Sequence, residues 1–369
     1  MVRVVTVEQP QRAGSNPRGA AVTRRSALLG IGAVAAFLAV DVGAIAYANK
    51  WVAAAATLTR DKFMAGFQSV FGTHLGFRRN HAKGVAVVGY FDGNGNGRDY
   101  SRAAVLGAGR SPVTGRFSLT GGNPFVTDTP GAARGLGLAI GFPGPEQWRT
   151  AMLNLPVFPD NSPQGFYDRL FASQVVEATG KPDPARMAAF LAAHPETAKA
   201  MEVIKEHPPS TGFADGTYWG LNTFHFVAES GARTPVRWSF VPRQTALAPA
   251  AKGADVLFDA LIRQLKTTPL QWDLHLIIGT PDDPVDPTVR WADGHRVIEA
   301  GTLTLTAAET ERAGNARDVN FDPLVLPAGI EPSADPLLSA RSAVYAASYR
   351  ARTGEPKSPS AVQVDQVTP

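Results

Sequence analysis

Between residues 85 and 142 four short apolar runs crowd together: VAVVGYF (85–91), AAVLGAG (103–109), GRFSLTG (115–121) and GLGLAIGF (135–142). Gly, Pro and Asn separate them. Gaps this short leave no room for crossover helices, so the runs point to an antiparallel sheet or barrel. Strand-like runs return at TYWGLNTFHFV (217–227), PVRWSFVP (235–242) and WDLHLIIGT (272–280). Between the two sets, residues 162–206 read as helical. VAAAATLTRDKFMAGFQSVFG (52–72) reads as an amphipathic helix with Phe63, Phe67 and Phe71 at i, i+4 and i+8, a stripe expected to be core packing. From 307 the chain is Pro-rich until a helical stretch, PLLSARSAVYAASYRAR (336–352). There is no βαβ rhythm, no internal repeat and no linker that splits the body. The expected class is α+β.

The chain holds no cysteine, which removes disulfides, thiolate catalysis, Fe–S clusters and Cys-type zinc sites. Its formal charge is +4. The first 25 residues carry five arginines against one glutamate, so residues 49–369 are nearly neutral and no nucleic-acid surface is expected. Behind this basic tail (1–25), Arg24-Arg25 precede SALLGIGAVAAFLAVDVGAIAYA (26–48), which ends in Ala46-Tyr47-Ala48. The arrangement resembles a twin-arginine export signal with a signal-peptidase site, although Ala27 stands where a bulky aromatic is usual. The segment is also long enough to remain as an uncleaved transmembrane anchor. Either way the body (49–369) is expected outside the cytoplasm: exported to the periplasm or held on the outer face of the bacterial inner membrane.

DGNGNGRD (92–99) imitates the start of an EF-hand loop, but Ala103 stands where the bidentate Glu is needed. It reads as a turn between strands. GLGLAIG lacks phosphate-binding spacing and reads as a barrel strand with close backbone approach. GxSxG, HExxH and P-loop patterns are missing from the sequence. What remains is a set of polar residues in apolar surroundings. His81 sits in RRNHAKGV (78–85), Ser118 in GRFSLTG and Asn154 in MLNLPVF. Arg341 and Tyr345 stand four apart, so they share a helix face. An arginine beside a tyrosine favours the phenolate, and a phenolate is a good ligand for ferric iron.

These residues together resemble the haem catalases. His81-Ala82-Lys83-Gly84 matches the family's distal histidine motif, with Arg78 three residues before it. Arg116-Phe117-Ser118 matches its RFS strand, and Asn154-Leu155-Pro156-Val157-Phe158 its N-x-P-V-F segment. YWGLNTFHFV followed by VRWSFVP resembles the segment written Y-x-G-x-x-x-H-x-F. FDPLVLPAGIEPSADPLLSARSAVYAASYRAR (321–352) resembles the proximal region, where R-x-x-x-Y supplies the iron ligand. The likeness runs colinearly over about 60–355. Arg79-Asn80 departs from the family's aliphatic pair, and only 17 residues follow Arg352. In this the chain is similar to the short, exported catalase-related peroxidases.

The resemblance implies an eight-stranded antiparallel β-barrel with surrounding helices, and haem, expected to be haem b, as cofactor. It implies that Tyr345 ligates iron and Arg341 keeps it ionised. His81 is implied as the acid/base that moves the peroxide proton, with Asn154 orienting the peroxide and Ser118 fixing the histidine ring. Arg78, Arg116 and Arg352 match positions that pair with haem propionates, and Phe166 packs on the haem face. Lys83 is left as a solvated or supporting residue. The expected partners are hydrogen peroxide and a small organic electron donor, with export machinery or the inner membrane at the N-terminus; oligomerisation is left open. The expected activity is peroxide reduction through an iron–oxo intermediate with weak catalase activity. A true catalase and a fatty-acid hydroperoxide enzyme stand as alternatives.

Overall fold

The computed structural model describes residues 58–250 and 252–368. The basic tail and the apolar segment 26–48, with the export and anchor expectations attached to them, lie outside the described residues. Among the described residues no helix is long and apolar enough to cross a membrane.

The described residues open with helix α1 (Arg60–Phe71), capped by Thr59, whose hydroxyl accepts from the Lys62 amide at 3.2 Å. Strands β1 (Gly84–Asn94), β2 (Ala108–Leu119), β3 (Arg134–Ile140) and β4 (Trp148–Leu153) follow. Helix α2 (Pro163–Ala172), a two-residue pair β5 (Val175–Val176) and β6 (Lys181–Pro182), and helices α3 (Pro184–Ala193) and α4 (Pro195–Glu206) form the helical excursion. Then come β7 (Tyr218–Trp219), β8 (Phe224–Val227), β9 (Arg233–Pro242), helix α5 (Val256–Thr267), β10 (Leu270–Ile278), β11 (Arg296–Glu309), β12 (Ile330–Pro332) and helix α6 (Pro336–Thr353).

The main sheet runs β10-β11-β1-β2-β3-β4-β7-β9, and β9 pairs back onto β10. The ring therefore closes as an antiparallel barrel of eight strands, with β8 and β12 added beside β9. Closure leaves the ring without an unpaired edge.

Alternation along each strand splits the residues between two faces. Val85, Val87, Phe117, Leu136, Leu138 and Met152 point into the barrel's main core, together with Phe240, Trp272 and Leu303 from the far side. Ala86 and Ala139 point the other way, into a small second cluster with Phe321, against which Tyr345 packs. The register sets two rows across this outer face: Gly84–Ser118–Gly135–Leu153 and Ala86–Arg116–Gly137–Ala151. These rows are mostly small residues, so the outer face of β1–β4 is a recess, and α1, α2 and α6 stand around it.

Several expectations need correction. AAVLGAG (103–109) is not a strand: Ala104–Leu106 is one 3-10 turn, and β2 runs from Ala108 through the GRFSL segment. Val105 and Leu106 are apolar because they are buried beside the barrel, not because they are paired. The run 217–227 is two short strands interrupted at Leu221. The Pro-rich tail begins only after β11, the longest strand of the barrel. Lys83 is not solvated: it is 2% exposed, and its ammonium donates to the Val126 carbonyl at 2.6 Å and the Ala254 carbonyl at 2.8 Å and pairs with Asp255.

Candidate active site

A cavity of 420 Å³ occupies the recess between the outer face of β2–β4 and helices α1, α2 and α6. It brings together residues from across the whole chain. His81, Ser118, Arg78, Arg116, Arg341, Arg352, Phe166 and Tyr345 all line it. Asn154 sits between two lining residues, Leu153 and Leu155.

His81 precedes β1 and has φ 57, a left-handed conformation that is costly for a non-glycine residue. The surroundings hold it there. Its amide donates to Asn80 Oδ1 at 3.0 Å, and the same oxygen accepts from the Gly121 amide at 2.8 Å. Its carbonyl accepts from Arg116 Nη1 at 2.7 Å. Its ring Nδ1 lies 3.0 Å from Ser118 Oγ, which leaves Nε2 for the cavity. The ring rests on Gly135: a Cβ there would stand 3.0 Å from Nδ1 and 2.9 Å from Ser118 Oγ. GLGLAIG is thus the barrel strand expected from its sequence, and Gly135 has a specific duty, to make room for the histidine. Burial, and then the charges of Arg116, Arg341 and Arg78, push the imidazole down to about 3. His81 is therefore neutral across the physiological range and able to accept a proton.

Asn154 is 4% exposed. Its Oδ1 accepts from the Arg134 amide at 2.7 Å, while its Nδ2 is buried with no hydrogen-bond partner. A buried donor left open beside a cavity is costly unless something bound there accepts from it.

Helix α6 supplies the opposite set. Asp335 caps it, accepting from the Leu337 amide at 2.9 Å and from Asn222 Nδ2 at 2.7 Å. Asn222 Oδ1 in turn accepts from Arg341 Nη1, and Arg341 Nη2 donates to the Ala151 carbonyl at 2.7 Å. The guanidinium is therefore spread between Asn222 and a barrel carbonyl, one turn before Tyr345. Burial raises the Asp335 carboxyl above its ordinary range, and Asn222 and the Leu337 amide offset this only in part. Leu221, at φ 68, is held by an Asn222 amide to Gly220 carbonyl bond of 2.8 Å, and it lines the cavity.

The aromatic wall is α1 against α2. Phe63, Phe67 and Phe71, expected as core packing, all line the cavity. Phe166 lies 6.1 Å from Phe63 and 6.2 Å from Phe67, and stacks on Phe158 at 6.0 Å. The stripe is thus packing on one side and cavity wall on the other.

Three arginines crowd the remaining side. Arg78 donates to the Ala316 carbonyl at 3.1 Å and the Val319 carbonyl at 2.8 Å. Arg352 donates to the carbonyls of Arg317 and, at 3.1 Å, Val319. Burial and the mutual repulsion of these cations hold Arg78 well below the ordinary arginine value and Arg352 at about 10. Arg116 pairs with Glu311, a residue the motifs did not point to. Arg78, too, lies 3.6 Å from Glu311. Glu311 lies outside every quoted motif, and Gly135, Asn80, Asn222 and Asp335 lie inside quoted segments without an assigned role; only the closed barrel shows which of them meet.

The Catalase family model matches residues 57–358. The chain is similar to a catalase-related peroxidase of Synechococcus elongatus, at 39% identity over 306 residues, 81% of this chain and 90% of that protein. A catalase-related peroxidase of Mycolicibacterium paratuberculosis is 31% identical over 304 residues, 80% of this chain and 96% of that protein. The catalase of Drosophila melanogaster is 24% identical, and the match covers 74% of this chain but 58% of that protein. Among solved structures, a bacterial catalase superposes with a TM-score of 0.67 at 22% identity, over 76% of this chain and 58% of that chain. Catalase A from Saccharomyces cerevisiae gives 0.67 at 20% identity, over 76% and 62%. These superpositions show the fold.

Proposed function

Since this chain belongs to the catalase family, and is a peroxide-acting oxidoreductase of that family, we propose that it works as a haem-dependent peroxidase. It reduces hydrogen peroxide to water with electrons from a small organic donor, and its catalase activity is weak. The relatives that match over nearly their whole length are named catalase-related peroxidases, which favours this reading over a true catalase.

The family implies haem, and the cavity's residues fit it. The recess pairs an apolar aromatic wall with a cluster of buried arginines suited to the two carboxylates of a porphyrin. We assign the haem as type b. Tyr345 would hold the iron, Arg78, Arg116 and Arg352 would meet the carboxylates, and Phe166 would lie against the ring system. When bound, the haem supplies the redox centre that accepts oxygen from peroxide and stores its oxidising equivalents.

The chain's own residues handle the proton. In the tautomer that keeps its hydrogen on Nδ1, His81 donates to Ser118 Oγ and leaves the Nε2 lone pair free. Nε2 takes a proton from hydrogen peroxide and returns it to the departing oxygen, so one water leaves with no net proton uptake. Asn154 Nδ2 donates to the peroxide and so finds the partner it otherwise lacks. The leucines and phenylalanines around the cavity exclude water. The observation that carries this reading is the placement of His81, its Nδ1 3.0 Å from Ser118 Oγ and its ring seated on Gly135, at the wall of the cavity that Tyr345 also lines.

The deciding experiment follows oxygen release and dye oxidation side by side on the haem-loaded protein with hydrogen peroxide. Strong dye oxidation with little oxygen supports a peroxidase. Vigorous oxygen release with slow dye oxidation makes the chain a catalase. We also assign residues 1–48 to export or anchoring outside the inner membrane, on the strength of Arg24-Arg25 and the apolar segment behind them. Cell fractionation tests this, and recovery of the protein wholly in the cytoplasm would refute it.

A further inference from the structure

The family resemblance sets an aliphatic residue at position 79, and this chain places an arginine there. The residue is 5% exposed. Glu355 accepts from both terminal nitrogens of its guanidinium, from Nη1 at 3.2 Å, and so balances its charge. Nη1 also donates to the Phe77 carbonyl at 3.0 Å. The backbone is fixed as well, because the Arg79 amide donates to Ser348 Oγ on α6 at 3.1 Å. The Nε of Arg79 is the exception: it is buried and has no hydrogen-bond partner among the described residues. A buried donor left open is costly unless a ligand accepts from it.

Arg79 lines two spaces. One is the cavity that His81 and Tyr345 share. The other is a groove of 270 Å³ between α1 and α6, lined by Met64 and Gln68 from the first helix and by Ala347 and Arg350 from the second. Arg60 and Asp61 also line it, but both are largely exposed and pair with each other at 3.5 Å. Arg350 is exposed, and among the described residues no carboxylate pairs with it. The groove therefore joins a free guanidinium, an open buried N–H and a side-chain amide to the apolar groups of Met64 and Ala347. An apolar lining with a few convergent polar groups is the make-up of a small-molecule site. The donors select the planar oxygens of a carboxylate. A thioether beside a guanidinium suits an aromatic ring.

We propose that the groove between α1 and α6 holds the organic electron donor, and that this donor is a small aromatic carboxylate carrying an oxidisable hydroxyl. Arg350 and Arg79 Nε bind its carboxylate, and Met64 packs on its ring. The inference rests on the peroxidase reading and supplies the substrate class for it. A donor has only to pass an electron, so it can stay in the groove, with Arg79 between it and the cavity, while His81 and Asn154 are left to peroxide. Two donor molecules each give up one electron and one phenolic proton. The peroxide takes two electrons and two protons, so H2O2 and two phenols become two waters and two phenoxyl radicals. The donors' protons leave to solvent at the groove, and the protons used at the cavity are drawn from solvent, which keeps the charge balanced.

The probe is 4-hydroxybenzoate, with phenol as the control that lacks the carboxylate. Calorimetry reads binding to the haem-loaded protein without peroxide, and steady-state kinetics reads kcat and KM for each donor. Arg350→Gln is expected to weaken 4-hydroxybenzoate binding about tenfold and raise its KM alike, with phenol oxidation within about twofold of wild type. Ala347→Phe, which fills the groove, is expected to weaken binding by about tenfold or more. In both variants the stopped-flow reaction with peroxide should stay within about twofold of wild type. If wild type does not bind 4-hydroxybenzoate, or if both variants bind and oxidise it as wild type does, the inference is wrong while the peroxidase reading stands. Weakened binding with unchanged turnover would leave the groove an anion site and overturn its role as donor site. Oxygen release with little oxidation of either donor by the wild type would instead refute the peroxidase reading, and the donor role with it. Should Ala347→Phe not fold, Arg350→Glu decides: lost binding of 4-hydroxybenzoate beside intact phenol oxidation supports the inference, and wild-type binding overturns it.

Discussion

The two faces of β1–β4 are made from the same strands and do opposite work. The inward face carries Val85, Val87, Phe117, Leu136, Leu138 and Met152, large apolar groups that fill the barrel. The outward face, one residue out of step, carries Gly84, Ala86, Gly135, Gly137 and Ala151 with two polar residues, Arg116 and Ser118. Volume is put inside and removed outside. The first is what stability needs, since burying a large apolar side chain contributes about 1.5–3 kcal/mol. The second is what a flat cofactor and a left-handed histidine need. A strand with period two therefore specifies a core and a site at once, and substitutions one residue apart should fail in different ways.

The sharpest break on the outward side is His81→Ala. It should slow the reaction of the haem-loaded protein with peroxide by about 10²–10⁴, because a positioned acid/base contributes that much. Hemin should still bind, and a wild-type rate in stopped flow would remove His81 from the mechanism. Next comes a pair on one strand. Gly135→Val pushes a side chain into Ser118 Oγ and the His81 ring and should cost about 10–100-fold in the same rate, because it displaces the reacting group. Leu138→Ala, three residues on and facing inward, should cost about 2–5 kcal/mol of stability. Its rate per bound haem should stay within about threefold of wild type. If both variants lose rate and stability alike, the two faces are not separable.

A smaller effect concerns acid. His81 is held down near 3, so between its ordinary value of 6.5 and that point the unfolded chain binds a proton that the native protein refuses. Stability should therefore fall as pH drops through this window, by up to about 1.4 kcal/mol per pH unit from this group. Denaturant titrations of wild type and His81→Gln between pH 6 and pH 4 would show a shallower slope in the variant. Equal slopes would mean that the native ring takes up its proton in this range.

Much of this architecture is legible in the sequence, for definite reasons. VAVVGYF is a continuous apolar run that ends at Asp92-Gly93, and GLGLAIG alternates glycine with leucine and ends before Pro143, so β1 and β3 declare themselves. RVIEAGTLTLTAAE does not, because threonines and three alanines dilute its apolar period and a glycine interrupts it. VLFDALIRQLKT, the helix α5, does carry a legible stripe, with Asp259, Arg263 and Lys266 four and three apart opposite the buried Leu257, Phe258, Leu261 and Leu265, and it was open to reading from the sequence. At the site, the residues inside compact motifs were named in advance: His81, Ser118, Arg116, Arg341 and Tyr345 all reach one cavity. The residues that aim them were not. Glu311 meets Arg116 across 195 positions of sequence, and Asn222 meets Asp335 across 113. Spacing along a chain carries no information about such pairs until the barrel closes.

The gentlest test asks how far that aiming depends on any one bond. Ser118→Ala removes the hydroxyl 3.0 Å from His81 Nδ1 and nothing else of size. The ring still rests on Gly135, and its backbone is still held by Asn80 and Arg116. The expected loss in the peroxide step is therefore modest, about three- to tenfold, well short of His81→Ala. Stability should hardly move, since the site borders a cavity rather than the packed inward face. A loss as large as that of His81→Ala would mean that the hydroxyl fixes the ring and its tautomer almost alone, with the backbone restraints idle. No loss at all would mean that the left-handed backbone and the glycine seat suffice, and Ser118 would then be present only because the recess demands something small.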